Sequence, residues 1–321
     1  MPWYVYTFFT IAMGLAIFLL GLFTLRNGLT NLASHKAEQW IQQFVNTPLR
    51  GVAVGIAATL FTQSSAAVTI ISMGLVSAGV LEFSDTIAII LGTNVGSTFT
   101  VGLLSLNVER IGPYVLAIGS ILLISAFTLS RNYKHARRLR AISLSIAGFG
   151  VLFIGFHLMT SAVEPIAKSE FITRWLVASQ IQPWLGLLGG ALVTALIGSS
   201  SASTALTLSL TQSGALPLLG AIAIVFGNNI GTCMTAILAS LGGSRAVKRV
   251  AATHVLLNVA GAMLFMIFIA PFTDLILHLS SDSGRQVFLA HFLFNAISSW
   301  IAYPFTRQIA SGLMRLIPDK I

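Results

Sequence analysis

Four clusters of hydroxyl, amide and glycine residues interrupt runs of apolar sequence: Thr62-Gln63-Ser64-Ser65, Gly92-Thr93-Asn94-Val95-Gly96-Ser97-Thr98, Ser199-Ser200-Ser201-Ala202-Ser203-Thr204 and Gly227-Asn228-Asn229-Ile230-Gly231-Thr232. None holds a carboxylate or a basic group. The chemistry on offer is ligation by neutral oxygens and N–H groups. A glycine permits a tight turn and a close approach to a ligand. A helix that starts after such a turn aims free N–H groups and the positive end of its dipole at the site, which suits an anion. A helix that ends there offers carbonyls, which with Ser, Thr and Asn oxygens suit a hard cation such as Na+. The candidate substrate- and ion-binding residues are therefore Gln63, Ser64, Ser65, Thr93, Asn94, Ser97, Thr98, Ser199, Ser200, Ser201, Asn228, Asn229 and Thr232. Small residues and hydroxyls also serve helix packing in membranes. Four clusters at matching positions exceed what packing asks for, and the long amide of Gln63 needs partners at mid-depth.

The elements that hold these clusters lie in lipid. Of 321 residues, 55% are hydrophobic and 8% charged, against about 25% charged in a typical soluble domain. This excludes an ordinary soluble or disordered chain. The single cysteine, Cys233, excludes an internal disulfide framework. The formal charge of +9 falls in short segments between apolar runs. It reads as membrane topology rather than as a nucleic-acid surface. Residues 1–10 carry no basic n-region, so the first run is expected to be a retained helix over 3–25. Further crossings are expected at 111–130, 141–161, 250–271 and 286–305, with a polar interfacial segment at 26–50.

An internal repeat organises the remainder. At a shift of 135 positions, 51–105 lies over 186–240 with 19 identities in 55, including S-S-x-A-x-T and G-x-N-x-G. Gly14 and Gly21 match Gly148 and Gly155 at a shift of 134. The expected organisation is a first repeat over 1–130 (hairpin 51–80, broken helix 84–107), a basic cytoplasmic loop over 131–140, a second repeat over 141–305 (hairpin 184–214, broken helix 217–241) and a cytoplasmic tail over 306–321. Residues 51–80 as one helix would be about 45 Å long, against the ~30 Å a bilayer core needs. Read as re-entrant hairpins, the segments 51–80 and 184–214 place 14 of 18 Lys and Arg residues, Arg26 among them, on one side of the membrane. The fold class expected is an all-α polytopic membrane protein of two inverted repeats. It has about seven full crossings plus two hairpins, the N-terminus outside and the C-terminus cytoplasmic. Inverted repeats with broken helices are a construction of secondary transporters, whose sites lie at the repeat interface.

The pairing of Gln63-Ser64-Ser65-Ala66 and Gly198-Ser199-Ser200-Ser201 with Gly92-Thr93-Asn94-Val95-Gly96-Ser97-Thr98 and Gly227-Asn228-Asn229-Ile230-Gly231-Thr232 resembles the type II sodium-dependent phosphate cotransporter family, in a short form without a soluble regulatory domain. The resemblance implies Na+-coupled symport of inorganic phosphate across the plasma membrane, both bound between the repeats by these motif residues. It implies Na+ as coupling ion, no organic cofactor, no enzymatic activity, the lipid bilayer as surroundings and a homodimer as a possible assembly. The chain departs from the family pattern at Ala66, Gly198 and Asn228, which remove a hydroxyl, an amide and a threonine.

Other readings are a Na+- or proton-coupled transporter or exporter of another small anion, an anion channel and an intramembrane serine hydrolase. The hydrolase needs a base beside one serine, and Ser64-Ser65 has no histidine counterpart. The pairs His254/Asn258 and His291/Asn295 are each spaced to share a helix face and are expected to bond between helices. On this reading the site itself is uncharged.

Overall fold

The computed structural model describes residues 3–33, 41, 47–106, 109–128, 133–167, 174 and 178–319. Helices α1 (Trp3–Ala33), α2 (Pro48–Thr62), α3 (Ser65–Ser77), α4 (Phe83–Gly96), α5 (Phe99–Leu104) and α6 (Gly112–Thr128) come first. They are followed by α7 (Tyr133–Ala167), α8 (Pro183–Ile197), α9 (Ser200–Gln212), α10 (Leu218–Gly231) and α11 (Cys233–Ser240). The last four are α12 (Arg245–Ile267), α13 (Ile269–Leu279), α14 (Ser283–Ala302) and α15 (Thr306–Leu316). Six stretches among the described residues are long and apolar enough to cross a membrane: Val5–Leu32, Phe83–Leu104, His135–Ala162, Leu218–Ser240, Arg245–Ile267 and Ser283–Leu316. The chain is an all-α polytopic membrane protein. Helix α6, the seventh expected crossing, has 17 residues and is shorter than these six.

Two triplets are built alike. Helices α2 and α3 have 15 and 13 residues, about 22 and 20 Å, each too short for a bilayer core. The start of α4 lies against the start of α2, with Gly51 facing Ala88 and Gly55 facing Ile89 and Gly92. The chain therefore doubles back through α3 before α4 runs parallel to α2. The triplet α8, α9 and α10 repeats this arrangement, with Gly186 facing Ala223 and Gly190 facing Ile224. Glycine is required at these contacts: a Cβ on Gly92 would lie 2.1 Å from the Val52 oxygen, and one on Gly227 2.0 Å from the Leu187 oxygen.

Helices α1, α6 and α7 form a bundle held by close backbone contact, and α1 and α7 share a hydrophobic core with α5, α9 and α10. Gly14 faces Met159, Gly21 faces Leu152 and Gly28 faces Ser145, so α1 and α7 run antiparallel. In return Gly148 faces Leu25 and Gly155 faces Phe18. The residues at the first two contacts exchange roles under the 134-residue shift. On the next face of α7, Gly150 meets Leu116 and Ala147 meets Gly119 of α6. Elsewhere packing is by side chains, as in the aromatic cluster of Phe226, Phe265, Phe272 and Phe294, where the closest ring centroids are 4.6 Å apart.

Three boundaries differ from the expected ones. Helix α1 does not stop at residue 25 but runs to Ala33, because Gly28 continues the seam and Arg26 finds a protein partner. The rest of the expected interfacial segment, apart from Ile41 and residues 47–50, lies outside the described residues. Residues 133–140, expected in a loop, form the first turns of α7, and the Arg140 guanidinium stacks 4.0 Å over the Phe127 ring. The expected crossing 250–271 ends at Ile267, and α13 starts anew with Pro271 in its first turn, where a missing N–H is harmless.

At the other end of α12, Arg249 is buried and held by the end of the chain. Its Nε donates to the Ile317 carbonyl at 2.9 Å, and its Nη2 pairs with Asp319 at 2.9 Å.

Replacing Gly21 by alanine should overpack the α1–α7 seam and cost about 1–3 kcal/mol. Alanine at Gly74, in α3 with nothing within 4 Å of its added Cβ, should be neutral or gain up to about 1 kcal/mol. Thermal unfolding of both variants in detergent checks this, and equal effects at the two positions would refute the seam.

Candidate functional site

The two tips, α2 to α3 and α8 to α9, share one backbone shape. Gln63 (φ 50°, ψ 30°) and Gly198 (φ 71°, ψ 15°) are both left-handed. Gln63 is the single non-glycine residue with positive φ among the described residues. Glycine adopts this conformation freely, whereas a residue with a Cβ is strained in it. That accounts for Gly198 where the family pattern has glutamine. Ser64 and Ser199 follow in extended conformation and cap α3 and α9. Their hydroxyls accept from the Ala67 and Ala202 N–H groups at 3.2 and 3.3 Å. Their carbonyls accept the first helical bonds, from the Val68 and Ser203 N–H groups. The N–H groups of Ser65, Ala66, Ser200 and Ser201 have no carbonyl within their own helices to bond.

Both tips open on one cavity of about 60 Å³. At roughly 10–15 Å³ for each water-sized group, this holds about four to six of them. Six lining pairs are related by the 135-residue shift: Gln63/Gly198, Ser64/Ser199, Ser65/Ser200, Ala66/Ser201, Ser97/Thr232 and Thr100/Thr235. Ser200 and Ser201 are 8% and 6% exposed, and their hydroxyls have no hydrogen-bond partner among the described residues. The Thr59 hydroxyl, in a residue 1% exposed, also lines the cavity unpartnered.

Thr59, Gly96 and Arg26 line the cavity outside these pairs, and Arg26 comes from α1. Its Nε donates to the Gln63 carbonyl at 2.8 Å. No carboxylate among the described residues pairs with it. The position 134 residues on is Thr160, which carries no charge. The Gln63 side chain is held in turn, donating to the Leu60 carbonyl at 2.6 Å and accepting from the Thr100 hydroxyl at 2.5 Å. The site is therefore not uncharged as the clusters alone imply. Arg26 lies in helix α1 and not in a connecting loop.

The sequence model of the Na+/Pi-cotransporter family matches residues 17–161 and again 155–298.

The chain belongs to the Na+/Pi-cotransporter family.

The chain is 35% identical over 305 residues to "Uncharacterized protein YqeW" of Bacillus subtilis, covering 94% of this chain and 96% of the relative. It is 25% identical over 305 residues to "Putative inorganic phosphate export protein YjbB" of Salmonella typhimurium, covering 95% of this chain and 55% of that protein. The chain thus spans about half the length of that export protein. Over 113 residues, 33% of this chain and 18% of the relative, it is 46% identical to "Sodium-dependent phosphate transport protein 2A" of Ovis aries. No solved structure matches. The family is one of transporters, not enzymes.

The structure gathers eight of the expected site residues at the cavity: Gln63, Ser64, Ser65, Ser97, Ser199, Ser200, Ser201 and Thr232. Five lie behind it. Thr93 and Thr98 donate to the carbonyls of Ile90 and Val95, and Asn229 to that of Val225. Asn94 donates across helices to Asn258 at 3.4 Å. The Asn228 amide lies within 3.0 Å of the Thr194, Ser203 and Thr204 hydroxyls. With its nitrogen turned toward the Gly190 and Ile224 carbonyls it is fully engaged and ties α8, α9 and α10 together. In the expected histidine pairs, each asparagine bonds the carbonyl of its own histidine, Asn258 to His254 and Asn295 to His291. Only Asn258 also reaches another helix. Arg26, Thr59, Thr100 and Thr235 are cavity residues that the motif reading passed over. The repeat carried a signal for three of these, since Thr59, Thr100 and Thr235 are identities at the shift of 135.

Asn228→Ala would strand the three buried hydroxyls and should cost about 2–3 kcal/mol. The melting temperature should fall clearly, and an unchanged value would show that the amide does not hold the three helices together.

Proposed function

We propose that this Na+/Pi cotransporter carries inorganic phosphate across the plasma membrane by Na+-coupled symport, with phosphate seated between the two helical tips. The observation that supports this reading is the convergence of two helix N-termini on one cavity, with free N–H groups and the unpartnered hydroxyls of Ser200 and Ser201. Such ends bind oxyanions through N–H groups and dipole together. Ala66 is tolerable because that position offers the backbone N–H whatever its side chain. Na+ would be held by neutral oxygens at the breaks α4–α5 and α10–α11, where Ser97, Thr100, Thr232 and Thr235 cluster with helix-end carbonyls. Asn94, Asn228, Asn229, Thr93 and Thr98 support that shell from behind.

In this reading α2–α3 and α8–α9 are re-entrant hairpins and the two repeats are inverted, with the N-terminus outside and the C-terminus cytoplasmic. The antiparallel seam of α1 and α7, which are equivalent helices of the two repeats, supports the inversion. A second reading, export of phosphate on the same scaffold, draws on the name of the export protein that matches 95% of this chain.

Proteoliposomes loaded without Na+ should accumulate labelled phosphate when Na+ is added outside and not when choline is added. The double variant Ser200→Ala/Ser201→Ala should lower the initial rate at least about 10-fold, the loss of one or two hydrogen bonds to a charged group. Equal accumulation in Na+ and choline would overturn the coupling. Accumulation only when Na+ is trapped inside would favour export.

A further inference from the structure

Arg285 does no work for the helix that carries it. It stands in the first turn of α14, where the positive end of the helix dipole disfavours a cation. Its backbone N–H donates to the capping Asp282 carboxylate at 2.7 Å. Its guanidinium is exposed and forms neither a hydrogen bond nor an ion pair among the described residues. In the proposed topology it lies outside, opposite the side where positive charge collects, so orientation in the membrane does not account for it either.

Arg285 lines a crevice of about 400 Å³ between α5 and the start of α14. That volume falls within the range of about 300–1,000 Å³ found for ligand sites. The walls are mostly apolar, with Phe99, Leu103 and Leu106 on one side and Phe288 and Leu289 on the other. Positions 99, 103 and 106 recur at helical spacing and form one stripe. Phe99 and Leu106 are 47% and 53% exposed, so the crevice opens to lipid, while Thr100, Val101 and Leu104 on the other face of α5 are buried. One crossing ends at Leu104 and another begins at Ser283. Leu106 and Arg285 therefore stand at the membrane edge, and Phe99 and Leu289 lie one to two helical turns deeper, roughly 6–10 Å. Phe99 is also a wall of a second apolar crevice, of about 530 Å³, which α5 shares with α1, α2, α6 and α7. Helix α5 is thus short of protein neighbours on its outer face.

We propose that the crevice between α5 and α14 is a site for one anionic phospholipid, its phosphate on the Arg285 guanidinium and an acyl chain along Phe99, Leu103 and Phe288. The charges are complementary, since a free guanidinium offers parallel donors matched to two phosphate oxygens. The layout matches as well: a phospholipid places its phosphate at the membrane edge and its chains in the apolar depth. A small free anion would leave the apolar walls bare. A zwitterionic lipid brings its own cation, which competes with Arg285 for the phosphate. The bound lipid completes the outer face of α5, a helix of six residues. The opposite face of α5 carries Thr100 to the cavity between the tips, where its hydroxyl bonds the Gln63 side chain. The lipid site is separate from that cavity and stands whether or not the cavity takes phosphate.

The test is native mass spectrometry and the melting temperature of the whole chain, stripped of lipid in detergent and then given phosphatidylglycerol or phosphatidylcholine. One phosphatidylglycerol should stay bound per chain, and it should raise the melting temperature more than phosphatidylcholine does at equal mole fraction. Arg285→Gln should weaken phosphatidylglycerol binding by about 10-fold or more, as expected for the loss of a hydrogen bond between charged groups. The preference over phosphatidylcholine should go with it. Arg110→Gln removes the same charge from the connection between α5 and α6, outside the crevice, and should bind as the wild type does. Leu103→Trp, which fills the apolar part, should lower the occupancy of either lipid while the lipid-free melting temperature is kept or raised. Equal stabilisation of the wild type by the two lipids would overturn the proposal, and so would wild-type affinity in Arg285→Gln. Stabilisation by glycerol phosphate equal to that by the intact lipid would reduce the crevice to a small-anion site and overturn the lipid assignment.

Discussion

A helix that stops inside a protein of this kind leaves backbone N–H or carbonyl groups with no water to turn to, and the rest of the structure follows from how they are satisfied. The half-length helices α2, α3, α8 and α9 put four such ends close together. Ser64 and Ser199 cover part of the demand by capping. What remains uncovered at Ser65, Ala66, Ser200 and Ser201 faces one cavity. The candidate site is in this sense the residue of an unsolved hydrogen-bonding problem, which the proposed anion would complete. The polar residues behind it, with the Asn228 amide at their centre, are needed so that no second deficit opens beside the first.

Holding the ends in place requires close approach of the surrounding helices, and glycine provides it. Parallel pairing of α2 with α4, and of α8 with α10, depends on glycines whose added Cβ would collide with backbone oxygen. The α1–α7 seam follows the same rule and presents Arg26 beside the first tip. The bundle that bears the charge is thus distinct from the hairpins that bear the N–H groups.

Much of this was legible in the sequence. The repeat, the hairpin-sized apolar pieces and the serines at both tips could be read because they obey local rules, of cap chemistry and of length against bilayer thickness. The eight cavity residues found by motif lie at positions where backbone and side chain act together. Arg26 was not legible. It stands where an apolar run gives way to a polar one, the place where topology-setting charges normally stand, and nothing in one dimension shows that Gln63, 37 positions on, offers it a carbonyl. The asparagines misled for the opposite reason. An amide in a glycine-rich break can serve a ligand or serve its neighbours, and only the positions of Thr194, Ser203 and Thr204 decide for Asn228. Helix ends were least legible, since α1 and α7 gain their extra turns from contacts with each other and with α6.

The α1–α7 seam has one further consequence. Gly14 on Met159 and Gly148 on Leu25 are a single contact seen twice, with the two repeats exchanging places, and Gly21 on Leu152 mirrors Gly155 on Phe18. Such an isologous surface is what two identical subunits present to each other across a two-fold axis. Within one polypeptide the seam thus has the form of a two-fold interface, while the positions beside it differ between the halves, Arg26 against Thr160 and Gln63 against Gly198.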